Sequence, residues 1–362
     1  MKVAHLINSM FTGGAENLIA ESVPVFKNQG VLIDVILLNG TAAPFLNKLN
    51  ANGCTPVILG MQSVYNPLLI FKIIPLLKKY DILHVHLFPA LYWVAFAKML
   101  SFSKVKLVFT EHNTTNKRLS NAFYLLFDYF IYQFYSKIIC ISAEIEQILH
   151  AKIAITKNKT VVILNGINLK KETAELALQP QDLFKNANIN TKFITQVAGF
   201  RLQKDQPTAI RAMQLLPPNM ILLLVGDGTE RNACQQLAMQ LNVGDRVVFL
   251  GVRSDVSPIL QLSDFVILAS HHEGLSLSSI EGMASGKPFI ASDVPGLRDV
   301  VNGAGLLFDD GDYKALASHI IHLDADVNFY NATVEKCLER AAEFNIEIMV
   351  QKEIALYKSM MQ

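Results

Sequence analysis

Short apolar runs rich in β-branched residues recur along the chain, each followed by a turn and then by a longer stretch with helical spacing. Residues 3–7 lead through Gly13-Gly14 into the helical pattern 16–28. Residues 31–38 follow Gly30, and residues 55–59 precede the helix-like stretch 68–79. Residues 82–85, 106–110, 137–141 and 161–164 continue the series. Strands alternating with helices in this way form a parallel sheet covered on both faces. Residues 165–190, with Lys, Gln, Asn and a Pro, break the rhythm and read as a connection. The pattern then restarts, with strands at 193–197, 221–225, 246–250, 265–268, 289–291 and 305–308. The expected fold class is therefore α/β, with two Rossmann-like domains facing a central cleft. The first domain is assigned to residues 1–168, a linker to 169–190, the second domain to 191–343 and a closing helix to 344–362. Ligands of such sheets bind outside the carboxyl ends of the strands, so functional residues are sought just after them.

Bulk properties narrow the chemistry. At 362 residues the chain is too long for one ordinary core. Hydrophobic residues make up 51% and charged residues 17%, which excludes disorder. A net charge of +1 argues against a dedicated nucleic-acid binder, although a local phosphate pocket is compatible with it. Cys54, Cys140, Cys234 and Cys337 are scattered among apolar neighbours, read as buried free thiols, and suit a reducing compartment. Cys and His spacing suggests no metal site, and no cofactor is expected. Residues 1–8 read as a buried strand rather than a signal peptide, and no run approaches the roughly 18–20 apolar residues that span a bilayer. The expected location is the cytoplasm.

The sharpest segment is residues 269–288, which follow the strand 265–268. Glu273-Gly274 make a turn, Leu275 follows, and Ser276 or Ser278 is placed to cap the helix that carries Glu281. A helix start with free N–H groups is suited to a diphosphate. Glu281, one turn in, can accept hydrogen bonds from the vicinal hydroxyls of a ribose, and Glu273 would face a sugar. Other segments also end strands. Thr110-Glu111-His112-Asn113 and Val197-Ala198-Gly199-Phe200-Arg201-Leu202-Gln203-Lys204-Asp205 both do so, the latter bringing Arg201 and Lys204 past a strand end, where cations favour an anion site. His84 and His86 flank a strand end and read as satisfied structural histidines. Residues 121–135 hold eight aromatic rings, read mainly as core; a second reading is a surface touching membrane headgroups.

Glu273 and Glu281 match the E-x(7)-E signature of the retaining glycosyltransferases of family four, and the chain resembles that family over most of its length. The resemblance implies the two-domain GT-B fold. It assigns Gly13 and Gly14 to a glycine-rich first loop that approaches the donor, and His112 and Glu273 to catalytic roles facing the donor sugar. Donor binding falls to Arg201, Lys204, Gly251, Val252, Gly274, Leu275, Ser276 and Glu281. Arg201 stands two positions from where the family places its arginine, whereas Lys204 keeps its place. Leu164-Asn165-Gly166-Ile167-Asn168 is similar to the family's hinge, with Asn168 in place of the usual Asp. Residues 344–361 look like the helix that crosses back onto the first domain.

The implied reaction is retaining transfer of a sugar from a UDP- or GDP-sugar to a glycan or lipid-linked acceptor, in bacterial surface polysaccharide synthesis. A peripheral contact with the inner face of the membrane would suit such an acceptor. The Asp-x-Asp triplet Asp324-Ala325-Asp326 lies in a late helical region far from any strand end, and metal independence is expected, with phosphate charge falling to Lys204, Arg201 and the helix start. Rival readings are a nucleotide-sugar epimerase on the same fold and an inactive nucleotide-sugar-binding subunit. A nicotinamide enzyme would need Gly-x-Gly-x-x-Gly after the first strand, and Gly226-Asp227-Gly228 lacks the third glycine and lies in the wrong half. Residues 282–287 miss the phosphate-loop spacing, with Pro288 where Ser or Thr is required.

Overall fold

A computed structural model describes residues 1–362 except Thr12, residues 113–120 and 170–177, Ser254 and Leu275; the side chains of Pro44, Ala122 and Phe123 are also left out. In chain order the first half holds β1 (Lys2–Ile7), α1 (Gly14–Asn28), β2 (Leu32–Leu37), α2 (Pro44–Ala51), β3 (Val57–Ile58), α3 (Leu69–Ile73), β4 (Ile82–His86) and α4 (Ala90–Ser101). It continues with β5 (Lys106–Glu111), α5 (Ala122–Tyr132), β6 (Lys137–Cys140), α6 (Ala143–Lys152) and β7 (Thr160–Val162). Next come α7 (Pro180–Leu183), β8 (Lys192–Val197), α8 (Gln206–Ala212), β9 (Met220–Val225), α9 (Arg231–Gln240), β10 (Val247–Gly251), α10 (Val256–Leu262) and β11 (Phe265–Leu268). The chain ends with α11 (Leu277–Ala284), β12 (Phe289–Ser292), α12 (Arg298–Val301), β13 (Leu306–Phe308), α13 (Tyr313–Ala325), α14 (Val327–Ala342) and α15 (Ile346–Met361).

Two compact units result, Met1–Ile167 with Ile346–Gln362, and Asn168–Asn345. The first contains a seven-stranded sheet in the order β3-β2-β1-β4-β5-β6-β7. The second has six strands in the order β10-β9-β8-β11-β12-β13. Described pairings are parallel throughout, so the strands are buried on both faces and read as apolar runs. In each sheet the order reverses once, between β1 and β4 in the first and between β8 and β11 in the second. At such a switch point adjacent loops diverge to opposite faces and leave a crevice.

Helix α15 belongs to the first unit despite its place at the end of the chain. Ile346 N donates to Ile167 O at 2.9 Å, and Gly166 N donates to Met349 Sδ at 3.3 Å. Tyr357 is fully buried, with its ring 6.2 Å from Phe26 of α1.

The structure departs from the sequence reading in three places. The helical stretch expected over 68–79 is divided: α3 stops at Ile73 and a 3-10 turn covers Ile74–Lys78, because Pro75 has no N–H with which to continue the helix. Part of the expected linker is folded into the second unit. Leu183 and Ala187 pack in one apolar cluster with Phe193, Ile221 and Leu223, so burial extends this domain toward the N-terminus. The aromatic run also differs. Tyr132 and Tyr135 are core, whereas Tyr124, Leu126, Phe127, Tyr129 and Phe130 of α5 are exposed, Leu126 by 73%. The run is apolar around nearly the whole helix, and only one side of it can face the sheet.

Candidate active site

The switch point of the second sheet brings two loops together, residues 198–205 after β8 and residues 269–276 after β11. Backbone and short polar side chains join them. His271 N donates to Gln203 O at 2.9 Å, Gln203 Nε2 to His272 O at 2.9 Å, and Ser270 Oγ to Gln203 O at 2.9 Å. Across this seam Lys204 Nζ forms an ion pair with Glu273 Oε1, the side chains being 18% and 7% exposed. The ammonium has three donors, so one bond to Glu273 leaves two for another oxygen ligand.

Beside this pair lies the start of α11. Ser276 occupies the cap position but, contrary to the capping expected of Ser276 or Ser278, its side chain makes no cap hydrogen bond among the described residues. The two hydroxyls lie 3.0 Å from each other, and Ser279 Oγ donates back to Ser276 O at 2.7 Å. The partial positive charge of the first turn is therefore left for an anion. Glu281 sits half-buried one turn along the same helix. Leu275 lies outside the described residues, as does Asn113.

Gly274 is half-buried beside Glu273, and the backbone there is approached closely by Gly296. Gly296 has φ +81°, and a Cβ on it would stand 2.3 Å from Glu273 O and 2.4 Å from Gly274 O. Only glycine fits there. The remaining expected donor residues lie on neighbouring strand ends. Gly251 closes β10, and its carbonyl accepts from Gly226 N at 2.8 Å, while Val252 is 61% exposed. Arg231 Nη2 donates to Phe249 O at 3.3 Å in the same region. Arg201 is exposed on its loop, whereas Lys204 is held.

The first unit carries its own polar cluster at its switch point. His5 of β1 stands in register with His84 of β4, and His86 with Thr110 of β5. Residues two apart on a strand share a face, so His84 and His86 project alongside His5 and Thr110. His112 follows β5, half-buried, with Nε2 3.1 Å from His86 Nδ1. Burial pushes His112 down to about 4 and His5 to about 3, and holds His84 and His86 well below the usual imidazole range. All four are neutral near pH 7. Gly13 caps α1 without a side-chain bond, and Gly14 is the first residue of that helix.

Among the described residues, two groups bring three metal-type ligand atoms within 4.8 Å of one another: His5, His84 and His86, and Asp205, His271 and Asp310. The Asp324-Ala325-Asp326 triplet is in neither, whereas Asp310 of the second group belongs to a further Asp-x-Asp triplet, Asp310-Gly311-Asp312, that follows β13 and was missed in the sequence. Asp324 pairs with Lys192, and Asp326 caps α14 by accepting from Asn328 N and Phe329 N at 2.9 and 3.0 Å.

Two family models match the chain and together cover both units: Glycosyltransferase Family 4 over residues 12–171, and glycosyl transferases group 1 over residues 179–339. The chain belongs to the group 1 glycosyltransferases. Like a UDP-Gal:alpha-D-GlcNAc-diphosphoundecaprenol alpha-1,3-galactosyltransferase of Escherichia coli, this glycosyltransferase extends over both halves; the two are 24% identical, the match covering 99% of this chain and 97% of the other. It is 32% identical to the N-acetyl-alpha-D-glucosaminyl L-malate synthase of Bacillus anthracis, over 46% of its own length and 45% of that protein's. For that relative and others like it, the chain spans about half the relative's length. Among solved structures, Anabaena HepE in complex with UDP superposes with a TM-score of 0.84 at 22% identity, covering 99% of this chain and all (100%) of that one. The fold class of the glycosyltransferase is GT-B, two Rossmann-like α/β domains in one chain.

Of the residues expected from sequence, Lys204, Glu273, Gly274, Ser276 and Glu281 of the glycosyltransferase come from the two loops and the helix at one switch point. His112 lies in the first unit. Three contributors escaped the sequence reading: His5, Gln203 and Gly296. His5 was discoverable as a polar residue in an apolar strand, and Gly296 as the second half of a Pro-Gly turn.

Proposed function

We propose that the chain transfers a sugar, with retention and without a metal ion, from a UDP- or GDP-sugar to a glycan or lipid-linked acceptor in surface polysaccharide assembly. The observation that carries this reading is the Lys204–Glu273 pair spanning the switch point beside the uncapped start of α11. Cleaving the bond between the anomeric carbon and the β-phosphate oxygen leaves negative charge on the phosphate. Lys204 and the helix N–H groups are preorganised to stabilise that charge. Glu281 takes the ribose hydroxyls. Glu273 is assigned to orienting the transferred sugar's hydroxyls, and the neutral His112 is assigned to a sugar hydroxyl as well. In the default pathway the acceptor oxygen attacks from the face the phosphate leaves, and its proton passes to the departing phosphate.

Names among the relatives support this class of substrates. The Escherichia coli protein is named for a diphosphoundecaprenol acceptor, as is an N-acetylgalactosaminyltransferase of Campylobacter jejuni that is 30% identical over 57% of this chain. Exposed aromatic rings on α5 suit contact with a bilayer that carries such an acceptor. Among the described residues no helix is long and apolar enough to cross a membrane.

The test is incubation of the purified chain, in the presence of EDTA, with a panel of UDP- and GDP-sugars and an undecaprenyl-diphosphate-linked sugar. Formation of a longer lipid-linked saccharide from one donor, with the anomeric configuration kept, is the expected result. Epimerised donor in the absence of acceptor, or no turnover of any donor, would contradict it.

A further inference from the structure

The buried histidines form a connected path that the transfer reaction as described leaves without a purpose. His112 Nε2 lies 3.1 Å from His86 Nδ1, and His86 Nε2 lies 3.2 Å from His5 Nδ1. His5 Nε2 then lies 3.3 Å from the hydroxyl of Tyr357 on α15. That hydroxyl also meets His84 Nδ1 at 2.6 Å and Glu353 Oε2 at 3.4 Å, and His84 Nε2 meets Thr110 Oγ1 at 2.6 Å. All six ring nitrogens of His5, His84 and His86 are thus already in hydrogen bonds. A cation would have to break several of them, so the cluster is built as a hydrogen-bond network and not as a coordination site. Phe26 of α1 closes the cluster on its apolar side, its ring 5.4 Å from that of His5.

Proton counting gives the path a direction. A neutral imidazole donates through one nitrogen and accepts through the other, and the bond at one nitrogen fixes the tautomer at both. Tyr357 has one hydroxyl proton for three neighbours. We take that proton to lie in the shortest contact, toward His84 Nδ1, or on the bond to Glu353 Oε2, and in either arrangement His5 Nε2 donates to the tyrosine oxygen. His5 Nδ1 is then an acceptor, so His86 donates through Nε2 and accepts at Nδ1. His112 must in turn donate through Nε2, which leaves its Nδ1 without a proton.

We infer that Tyr357, His5 and His86 are positioning residues that hold His112 as the Nε2–H tautomer, so that its Nδ1 accepts a hydrogen bond from a carbohydrate hydroxyl. The unprotonated nitrogen repels a phosphate oxygen, so His112 recognises the sugar hydroxyl and not the diphosphate. The low proton affinities of the four rings agree, since no cation interrupts the path near pH 7. The C-terminal helix thereby acts on a residue of the β5 loop through three side chains. The consequence for turnover rests on the glycosyl-transfer reading; the tautomer itself does not.

The experiment is nitrogen-15 NMR of the full chain with labelled histidine, the His112 signals being identified by their loss in His112→Asn. His112 Nδ1 is expected at the shift of an unprotonated nitrogen and Nε2 at that of a protonated one. Tyr357→Phe removes the acceptor that sets the direction, and both His112 signals are expected to move to intermediate values, with kcat lower by about tenfold or more and donor KM unchanged. An amide spectrum otherwise like the wild type shows that the variant is folded; if Tyr357→Phe does not fold, His5→Gln serves the same purpose. A protonated Nδ1 in the wild type, or His112 signals unmoved in the folded variant, would overturn the inference. So would stoichiometric zinc whose removal by a chelator shifts the His5 and His86 nitrogens. Wild-type chain with no transferase activity but the expected tautomer and shift would count against the proposed function alone.

Discussion

Lys204 and Glu273 form an ion pair across the seam between the loops that follow β8 and β11, with both side chains mostly withdrawn from water. A carboxylate and an ammonium in that setting are each other's main compensation, and removing either leaves a poorly solvated charge. In the proposed reaction the pair is also a device: one proton of Lys204 orients Glu273 and the others meet phosphate oxygen.

Glu273→Gln keeps the size of the side chain and its acceptor oxygen but deletes the charge. The expected result is a loss of kcat on the order of a hundredfold, with nucleotide affinity nearly unchanged. Urea unfolding should show a cost of about 2 kcal/mol. Steady-state kinetics with varied donor and acceptor checks the first, and equal kcat in the variant would remove Glu273 from the chemistry.

Gly296→Ala tests the close approach behind Glu273. A Cβ there collides with two carbonyl oxygens, at 2.3 and 2.4 Å, and alanine is strained at φ +81°. Calorimetry should show the melting temperature reduced by several degrees, corresponding to about 1–3 kcal/mol, together with lost transfer. A variant as stable and active as the wild type would mean that this loop yields freely.

Glu353 gives a pH signature. Burial pushes its carboxyl up to about 8, against a weaker opposing effect of the Tyr357 hydroxyl. Its unfolded value is near 4.3. The folded state therefore holds the proton more tightly, and this contribution to stability is complete below the unfolded value and lost as pH rises through about 8. The difference in melting temperature, Glu353→Gln minus wild type, should grow between about pH 4.5 and 8 and then level off. His5 and His112 act in the opposite sense, since their folded values of about 3 and about 4 lie below the unfolded imidazole. Their contribution is present above about pH 6.5 and lost on acidification. A pH-independent difference for Glu353→Gln would show that the carboxyl is not buried in solution.

Helix α5 carries the membrane prediction. The chain should sediment with vesicles of anionic lipid, and Leu126→Glu should weaken that binding several-fold without changing the melting temperature, because Leu126 is 73% exposed. Equal sedimentation of the two proteins would take α5 out of the interface.

Much of this was legible in the sequence, for identifiable reasons. Strands buried on both faces are mostly apolar, so β1, β4, β8 and β11 announce themselves even with His5, His84, His86 and Gln196 in them, and the loops after β8 and β11 hold Lys204 and Glu273. Less could be read where local pattern and tertiary setting disagree. Residues 179–190 are polar overall and mostly exposed, yet Leu183 and Ala187 are enough to anchor the stretch to the second unit. The rings of residues 121–135 suggest core, but a helix rests only one side on a sheet. Residues joined only by register stayed hidden: nothing in the separate segments says that His5 lies beside His84, because strand order is a property of the whole sheet. Gly296 was concealed similarly, since the carbonyls it must clear are more than twenty residues away in sequence.

The central claim is that Lys204 and the uncapped start of α11 grip a nucleotide diphosphate without a metal. Titration calorimetry of UDP and GDP into the chain in EDTA tests it directly, with Lys204→Ala as comparison. Binding of at least one nucleotide by the wild type, weakened by about tenfold or more in the variant, is the predicted result. Equal affinity in the two proteins, or binding that appears only when a divalent cation is restored, would contradict it.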